Sequence, residues 1–146
     1  MSRNARQDTE QFLDSLRGLF REMTQIAGVA DDEGPPLTAR QRIALAEVGD
    51  ATGPLRLNAL ATRMGTSAPT ASRAVDLLVE QGLVARVADP DDRRALQIEL
   101  TPAGAALVAD HKRRAVAALE PAVASLPREE RDRLQELLAR LVDALR

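Results

Sequence analysis

The sequence contains no cysteine, tryptophan or tyrosine, and it has one histidine among 146 residues. Without cysteine, the chain cannot build a disulfide framework, sense oxidants through a thiol or bind a metal through thiolates. Phe12 and Phe20 supply the whole aromatic fraction of 1%. The core must therefore consist mainly of leucine, valine and alanine, a composition that suits packed helices.

Long apolar runs are also absent. No apolar segment approaches the roughly 18 residues of a membrane span, and no signal-peptide core follows the polar start MSRNARQDTEQ. We therefore expect a cytoplasmic protein that does not bind membranes. With 45% hydrophobic and 29% charged residues, the composition suits one globular domain.

Sets of catalytic residues are missing as well. The sequence offers no confident Ser-His-Asp or Cys-His set and no glycine-rich phosphate loop, and its carboxylates are scattered. His111, beside Lys112, is interpreted as an exposed residue of a helix. We expect no enzymatic activity, no cofactor and no metal site.

Amphipathic helices are predicted in the first third of the chain. Apolar residues recur at steps of three and four from Phe12 to Ala27, which is typical of a helix with one apolar face. Thr38 and Gln41 have capping-box spacing and predict the start of a second helix, which runs to about Gly49.

Two helices are also predicted at the other end of the chain. Thr101-Pro102 opens a long helix, with threonine as the cap and proline at the first helical position, and the helix continues to about Ser125. The last helix follows Leu126-Pro127 and carries a leucine stripe with charges between the leucines.

Two short helices and a tight turn are predicted in the middle of the chain. A short extended piece at residues 55–57 precedes Asn58, which is expected to cap a helix that Gly65 closes. Ser67 is expected to cap the next helix, in which four small or apolar residues share one arc: Ala71, Ala74, Val75 and Leu78. The spacing is that of a helix-turn-helix.

A hairpin follows the second of these helices. Residues 83–88 and 96–100 alternate in strand period, and the polar connector DPDDRR lies between them. The expected fold is mostly α (α+β): a winged helix-turn-helix with a small β-hairpin wing, flanked by N- and C-terminal dimerisation helices.

The chain divides accordingly into three segments. Residues 1–52 hold the N-terminal helices, the first for dimerisation and the second packing on the winged helix; residues 53–101 form the winged helix-turn-helix, and residues 102–146 form the C-terminal dimerisation helices. The terminal apolar stripes could pack on each other within one chain or against a second copy. We favour a homodimer. The dimerisation candidates are Phe12, Leu16, Leu134, Leu138, Leu141 and Leu145.

Nearly the whole chain resembles the MarR family of transcription regulators. SAPTASRAVDLLVEQGLVAR resembles the family's recognition helix and first wing strand, and LPREERDRLQELLARL resembles its closing helix. The most specific part is the wing, where Asp89, Asp92 and Arg94 match an Asp-x-x-Asp-x-Arg pattern that Thr-Pro-x-Gly follows.

The resemblance implies a dimer that binds duplex DNA at a pseudo-palindromic operator, usually as a repressor, and that a small aromatic or phenolic effector releases. The absence of cysteine rules out a thiol-oxidation sensor, and a single histidine cannot supply the ligands of the family's zinc sensors. The residues of an effector pocket stay unknown. Without tyrosine or tryptophan, such a pocket would be aliphatic, with arginine as the anchor for a carboxylate.

The recognition helix, residues 67–81, is predicted to lie in the major groove. Thr70 and Arg73 are the candidates for contacts to base edges, because arginine can bind guanine through two hydrogen bonds. Thr66 and Ser67 are expected at phosphates near the helix N-terminus, and Ser72 at either partner. Pro69 lies on the same outward face.

The wing, residues 89–94, is predicted to lie in the minor groove. Arg94 is the candidate for the groove itself, and Arg93 adds a phosphate contact. By resemblance, Asp92 pairs with Arg94 and orients it. On the recognition helix, Asp76 either pairs with Arg73 or is solvated.

The net charge is −2, and six arginines balance six acids between residues 53 and 101. No general basic patch exists, so binding must depend on individually placed arginines. The alternative is a winged-helix module that binds a protein and no DNA.

Overall fold

The computed structural model describes residues 3–29, 35–92 and 94–145. In these ranges the chain forms six helices and three strands. In chain order they are α1 (Arg3–Val29), α2 (Ala39–Gly49), β1 (Leu55–Arg56), α3 (Leu57–Arg63), α4 (Ala68–Glu80), β2 (Val84–Ala88), β3 (Leu96–Leu100), α5 (Pro102–Ala124) and α6 (Arg128–Ala144). This is the predicted winged helix-turn-helix with helices on both sides.

The predicted helix caps at Thr38, Ser67 and Thr101 are confirmed. At Thr38 the capping box is complete. Its hydroxyl accepts the amide of Gln41 at 3.3 Å, while the side-chain oxygen of Gln41 accepts the amide of Thr38 at 2.8 Å. These reciprocal bonds satisfy amides that the first turn of a helix leaves without partners.

The prediction that Asn58 caps α3 is wrong. The helix begins at Leu57, and Arg56 occupies the N-cap position without a side-chain cap bond. The difference arises because Arg56 is also the last residue of β1, so the chain passes from strand to helix with no intervening loop.

The tight turn after α3 is built as its residues predict. Gly65 has a φ of +62°, a left-handed conformation that glycine adopts without steric cost. The amide of Thr66 donates to the carbonyl of Ala61 at 3.0 Å, which closes the end of the helix. Ser67 can then begin α4 almost immediately.

The sheet has three antiparallel strands in the order β1-β3-β2. Strands β2 and β3 form the predicted hairpin, with Val84 opposite Leu100 and Ala88 opposite Leu96. Strand β1 adds a third strand on the other side of β3, where Arg56 lies opposite Gln97. With only two residues, β1 is too short for an alternating sequence pattern to predict that it pairs with β3.

The hydrophobic core lies among α2, α3, α4 and the sheet. Helix α4 contributes the predicted arc, and α2 packs on it through Ala44, Leu45 and Val48. The largest fully buried side chains are Leu60, Val75, Leu78, Val84 and Ile98.

Helix α5 is attached to this core by its first turn. The amide of Thr101 donates to the carbonyl of Leu83 at 3.1 Å. Gly104 is buried against the same carbonyl, and a Cβ at this position would lie 1.9 Å from the oxygen of Leu83. Only glycine permits this approach, which accounts for the Thr-Pro-x-Gly sequence.

The terminal helices differ from this core, because much of their apolar surface is exposed. Phe20 of α1 is 66% exposed and Leu145, after α6, is 81% exposed. No residue within α6 is buried in the part of the chain that the structure describes. Across the described ranges, no helix combines the length and the apolar character that a membrane span needs.

Candidate nucleic-acid interface

Helix α4 presents a small polar surface on the side opposite the core. Pro69 and Arg73 are exposed, while Thr70 and Ser72 are half-buried. Residues three and four apart share one side of a helix, so Pro69, Ser72 and Arg73 form one face. The structure therefore brings these predicted DNA contacts together, with Thr70 at the edge.

The hydroxyls at the start of α4 are already engaged. The Ser67 hydroxyl accepts the amide of Thr70 at 3.4 Å, and the two hydroxyl oxygens are hydrogen-bonded at 2.9 Å. Ser67 therefore acts as a helix cap whether or not it contacts DNA. Thr66, half-buried, lies in the turn before the cap.

The acid on the outward side of α4 is held by a neighbouring strand. Asp76 accepts a hydrogen bond from Nη2 of Arg86, on β2, at 2.5 Å. Asp76 therefore pairs with Arg86 and not with Arg73, because β2 brings a third residue within reach, and its side chain is still 51% exposed to solvent. Within the described residues, the guanidinium of Arg73 forms no ion pair.

The tip of the wing consists of two successive turns that aspartates stabilise. Asp89 Oδ1 accepts the amide of Asp91 at 2.9 Å, and Asp92 Oδ1 accepts the amide of Arg94 at 3.0 Å. Such bonds from an aspartate to an amide two residues later make a loop rigid. The Asp-x-x-Asp-x-Arg pattern thus has a structural basis in the backbone.

Asp92 contacts Arg94 differently from the expected ion pair. The contact reaches the backbone amide of Arg94, while the side chain of Arg94 is exposed. In the part of the chain that is described, the guanidinium of Arg94 forms no ion pair. The other predicted wing contact, Arg93, lies outside the described residues.

The base of the wing holds an ion pair that the sequence did not predict. Nε of Arg56 donates to Oδ2 of Asp89 at 2.6 Å, and Asp89 is only 3% exposed. The hydrogen bond from Arg56, then the amide of Asp91, holds the pKa of Asp89 below its ordinary value. The same bond and the charge of Asp89 raise the pKa of Arg56. Both groups are therefore charged at neutral pH.

The dimerisation candidates lie on apolar surface of the terminal helices. Phe12, Leu134, Leu138 and Leu145 are exposed, and Leu16 and Leu141 are half-buried. Other exposed apolar side chains on the same helices are Leu13, Leu19, Phe20, Leu137 and Val142. Large exposed apolar patches mark interaction sites in proteins, and these side chains recur along both helices.

A cavity of about 490 Å³ lies between α1, α2 and α5. Its described lining is mainly aliphatic, and its polar residues are Arg42, Asp50, His111 and Lys112. His111 is half-buried at this cavity and is not the exposed residue that the sequence suggested, because its side of α5 faces α2. Cavities of this size hold small organic ligands.

Within residues 3–29, 35–92 and 94–145, no group of three or more His, Asp or Glu side chains could hold a metal ion. In the described part of the winged segment, two exposed guanidinium groups, those of Arg73 and Arg94, form no ion pair. The described chain also offers an exposed apolar surface and a cavity of about 490 Å³.

The winged segment matches a known family. A family model described as "MarR family" matches residues 36–95, from just before α2 to the end of the wing tip. The crystal structure of a probable transcriptional regulator from Pseudomonas aeruginosa is 34% identical to this chain. That match covers 89% of this chain and 98% of the other, with a TM-score of 0.61.

Two further solved structures share the fold at lower identity. A MarR family protein from Bacillus stearothermophilus is 23% identical, with 99% of this chain and 98% of the other covered and a TM-score of 0.80. S. aureus MepR in its DNA-binding conformation is 24% identical, with 92% and 98% covered and a TM-score of 0.76. No match was found among curated proteins.

Proposed function

The chain belongs to the MarR family of DNA-binding transcription regulators and is not an enzyme, and from this premise we propose that it is a homodimeric repressor that a small effector releases. In the proposed complex, residues 67–81 of each copy lie in the major groove, and residues 89–94 lie in the minor groove. The operator is a pseudo-palindrome, because a two-fold dimer presents two identical recognition helices. Binding over a promoter would then block transcription.

One observation carries this proposal: the described arginines of the winged segment fall into two groups. Arg56, Arg63 and Arg86 are held in ion pairs with Asp89, Glu47 and Asp76. Arg73 and Arg94 are exposed and, within the described residues, have no such partner. Among the five arginines of this segment that the structure describes, two guanidinium groups therefore remain for DNA, in a segment whose formal charges cancel.

The two arginines have different roles in the proposed complex. Arg73, in the second turn of α4, binds a base edge in the major groove, with guanine as its best partner. Arg94, at the wing tip, enters the minor groove, where the negative potential is concentrated. Around Arg73, Thr70 and Ser72 contact bases or phosphates, while Thr66, Ser67, Pro69 and Arg93 border the phosphate backbone.

A homodimer accounts for the exposed apolar surface of the terminal helices. Residues 53–101 bind DNA, while residues 1–52 and 102–146 supply the dimer interface, apart from α2, which packs on the winged segment. Phe12, Leu16, Leu134, Leu138, Leu141 and Leu145 would lose solvent exposure on association. Burying such side chains contributes about 1.5–3 kcal/mol each when burial is complete.

The cavity between α1, α2 and α5 is the proposed effector site. It is aliphatic with Arg42 and Lys112 at its polar edge, so it suits a small aromatic acid or phenol. The site touches both a terminal helix and the helix that packs on α4. An effector could therefore favour one separation of the two recognition helices over another.

The proposal is tested on a duplex selected by the wild-type protein from a random DNA library. Fluorescence anisotropy at two salt concentrations should show that Arg73→Ala loses about 1–3 kcal/mol of binding free energy and relaxes the sequence preference. Arg113→Ala removes an equal charge from α5, where Arg113 pairs with Asp110, and should bind as wild type does. Binding without sequence preference that Arg73→Ala leaves unchanged would favour the protein-interaction module.

The effector site is tested separately. A panel of small aromatic acids and phenols should contain a compound that raises the melting temperature and releases the selected duplex. Ala115→Phe, which fills the cavity, should abolish both effects while retaining DNA binding. Release that persists in Ala115→Phe would place the effector elsewhere.

A further inference from the structure

We propose that Arg56 and Asp89 form a clamp that fixes the wing tip to the start of the helix-turn-helix and thereby positions Arg94 for the minor groove. The proposal deepens the proposed function and rests on it, because the wing must contact DNA for the clamp to matter there. Arg56 and Asp89 are positioning residues, and they act through Arg94 without touching DNA themselves.

On the wing side, Asp89 holds both arms of the loop. Its Oδ1 accepts the amide of Asp91 at 2.9 Å, and its own amide donates to the carbonyl of Ala95 at 3.1 Å. The amide of Ala95 in turn donates to the carbonyl of Asp92 at 2.9 Å. The loop that carries Arg94 is therefore closed upon Asp89.

On the other side, the clamp reaches the DNA-binding helices. Oδ2 of Asp89 accepts Nε of Arg56 at 2.6 Å, and Arg56 is both the end of β1 and the N-cap residue of α3. A side-chain hydrogen bond with Gln97, opposite Arg56 in the sheet, also lowers the pKa of Asp89. Through one carboxylate, the wing loop is thus joined to the strand that leads directly into the helix-turn-helix.

The carboxylate of the clamp is buried, whereas the other acidic side chains of the wing tip are exposed. The side chain of Asp89 is 2% exposed and that of Arg56 is 53% exposed, so the carboxylate cannot exchange this partner for water. Asp91 and Asp92 are exposed at the same tip. Asp91 contributes its backbone amide to the clamp and not its carboxylate.

Because Asp89 is buried and Asp91 is exposed, a test is possible in which an overall charge effect and the clamp predict opposite changes in DNA affinity. Removing any negative charge near DNA should tighten binding if only overall charge matters. If the clamp matters, Asp89→Asn should weaken binding, because the charge-assisted bond to Arg56 is lost. Asp91→Asn is the matched control, with the same change of charge two residues away.

Affinity for the selected duplex is measured by anisotropy for both variants. We expect Asp89→Asn to bind several-fold more weakly, with a loss no larger than that of Arg94→Ala, which is roughly tenfold. Asp91→Asn should bind as wild type or slightly more tightly. Equal affinities for Asp89→Asn and Asp91→Asn would overturn the proposal.

A double-mutant cycle separates positioning from general damage to the fold. In the Arg94→Ala background, Asp89→Asn should cause little additional loss, because the clamp acts through Arg94. If Asp89→Asn weakened DNA binding as much in the Arg94→Ala background as in wild type, the result would contradict the clamp. If Asp89→Asn does not fold, Arg56→Lys takes its place in the cycle, since it retains the charge and replaces only the guanidinium.

The same data distinguish failure of the clamp from failure of the proposed function. If Arg94→Ala binds the selected duplex as wild type does, the minor-groove assignment is wrong, and the clamp falls with it. If Arg94→Ala weakens binding while Asp89→Asn and Arg56→Lys do not, the wing contact stands and the clamp alone is wrong.

Discussion

Leu78 of α4 and Leu138 of α6 belong to apolar stripes of amphipathic helices, yet Leu78 is 0% exposed and Leu138 is 44% exposed. The stripe of α4 is covered by α2, α3 and the sheet of the same chain. The stripe of α6 is left largely uncovered. Helical periodicity thus predicts an apolar face, but not which surface covers it.

The contrast divides the molecule into two parts. The winged segment and α2 form a hydrophobic core within one chain, and this core holds the proposed DNA-contacting side chains in fixed positions. The terminal helices leave many apolar side chains exposed among the residues that the structure describes. We infer that a second copy covers them, because two copies also supply the paired recognition helices that a palindrome requires.

The covered stripe is the more sensitive to truncation. Leu78→Ala should lower the free energy of unfolding by about 3 kcal/mol or more, because it opens a cavity in a closed core. The loss should be the same at low and high protein concentration. Urea unfolding at two concentrations measures it, and a loss below about 1 kcal/mol would contradict a closed core.

Substitutions in the uncovered stripe of α6 should weaken association of two chains but have little effect on the folding of one chain. Leu138→Asp should weaken the dimer by about 3 kcal/mol or more, because each copy would bury a carboxylate. Leu96→Asp is the control, since Leu96 is 55% exposed but lies on the wing strand. Sedimentation equilibrium should show a dimer for wild type and Leu96→Asp and a monomer for Leu138→Asp. Equal masses for the two variants would count against the interface.

Two glycines extend the comparison to the backbone. Gly104→Ala should cost about 2 kcal/mol, because its methyl group would collide with the carbonyl of Leu83, where α5 meets the core. Gly18→Ala, in the middle of α1, meets nothing within 4 Å and should gain about 0.5–1 kcal/mol. Thermal unfolding measures both changes, and a destabilising Gly18→Ala would show that α1 is more tightly covered than described.

The smallest expected effect concerns pH. The pKa of Asp89 is held below the ordinary value of 3.8, so its ionised form stabilises the folded state above that value. This contribution should be constant near neutral pH and disappear as the pH falls through the lower pKa of the folded state. Melting temperatures of wild type and Asp89→Asn should therefore converge in acid. If the difference in melting temperature between the two proteins widened in acid, the pKa of Asp89 would be raised in the folded state and not lowered.

Local features of this fold could be predicted because their causes are local. The caps at Thr38, Ser67 and Thr101 and the turn at Gly65 each depend on residues within a few positions. The apolar arc of α4 and the hairpin follow from periodicity in the same way. The prediction of a cap at Asn58 was wrong because strand β1 determines where α3 begins.

Contacts between distant residues could not be predicted in the same way. Arg56 meets Asp89 only because a two-residue strand pairs with β3, and Asp76 meets Arg86 only because β2 lies beside α4. The position of His111 beside a cavity depends likewise on how α5 crosses α2. Charge alone offered several partners for each of these residues, and the tertiary fold selected one.

The stoichiometry of the DNA complex tests the central claim most directly. The chain is sedimented with a fluorescent duplex that carries both half-sites of the selected sequence, and then with one in which a single half-site is scrambled. We predict two chains on each intact duplex and much weaker binding to the scrambled one. One chain per duplex, with affinity unchanged by the scrambling, would contradict recognition by a two-fold dimer.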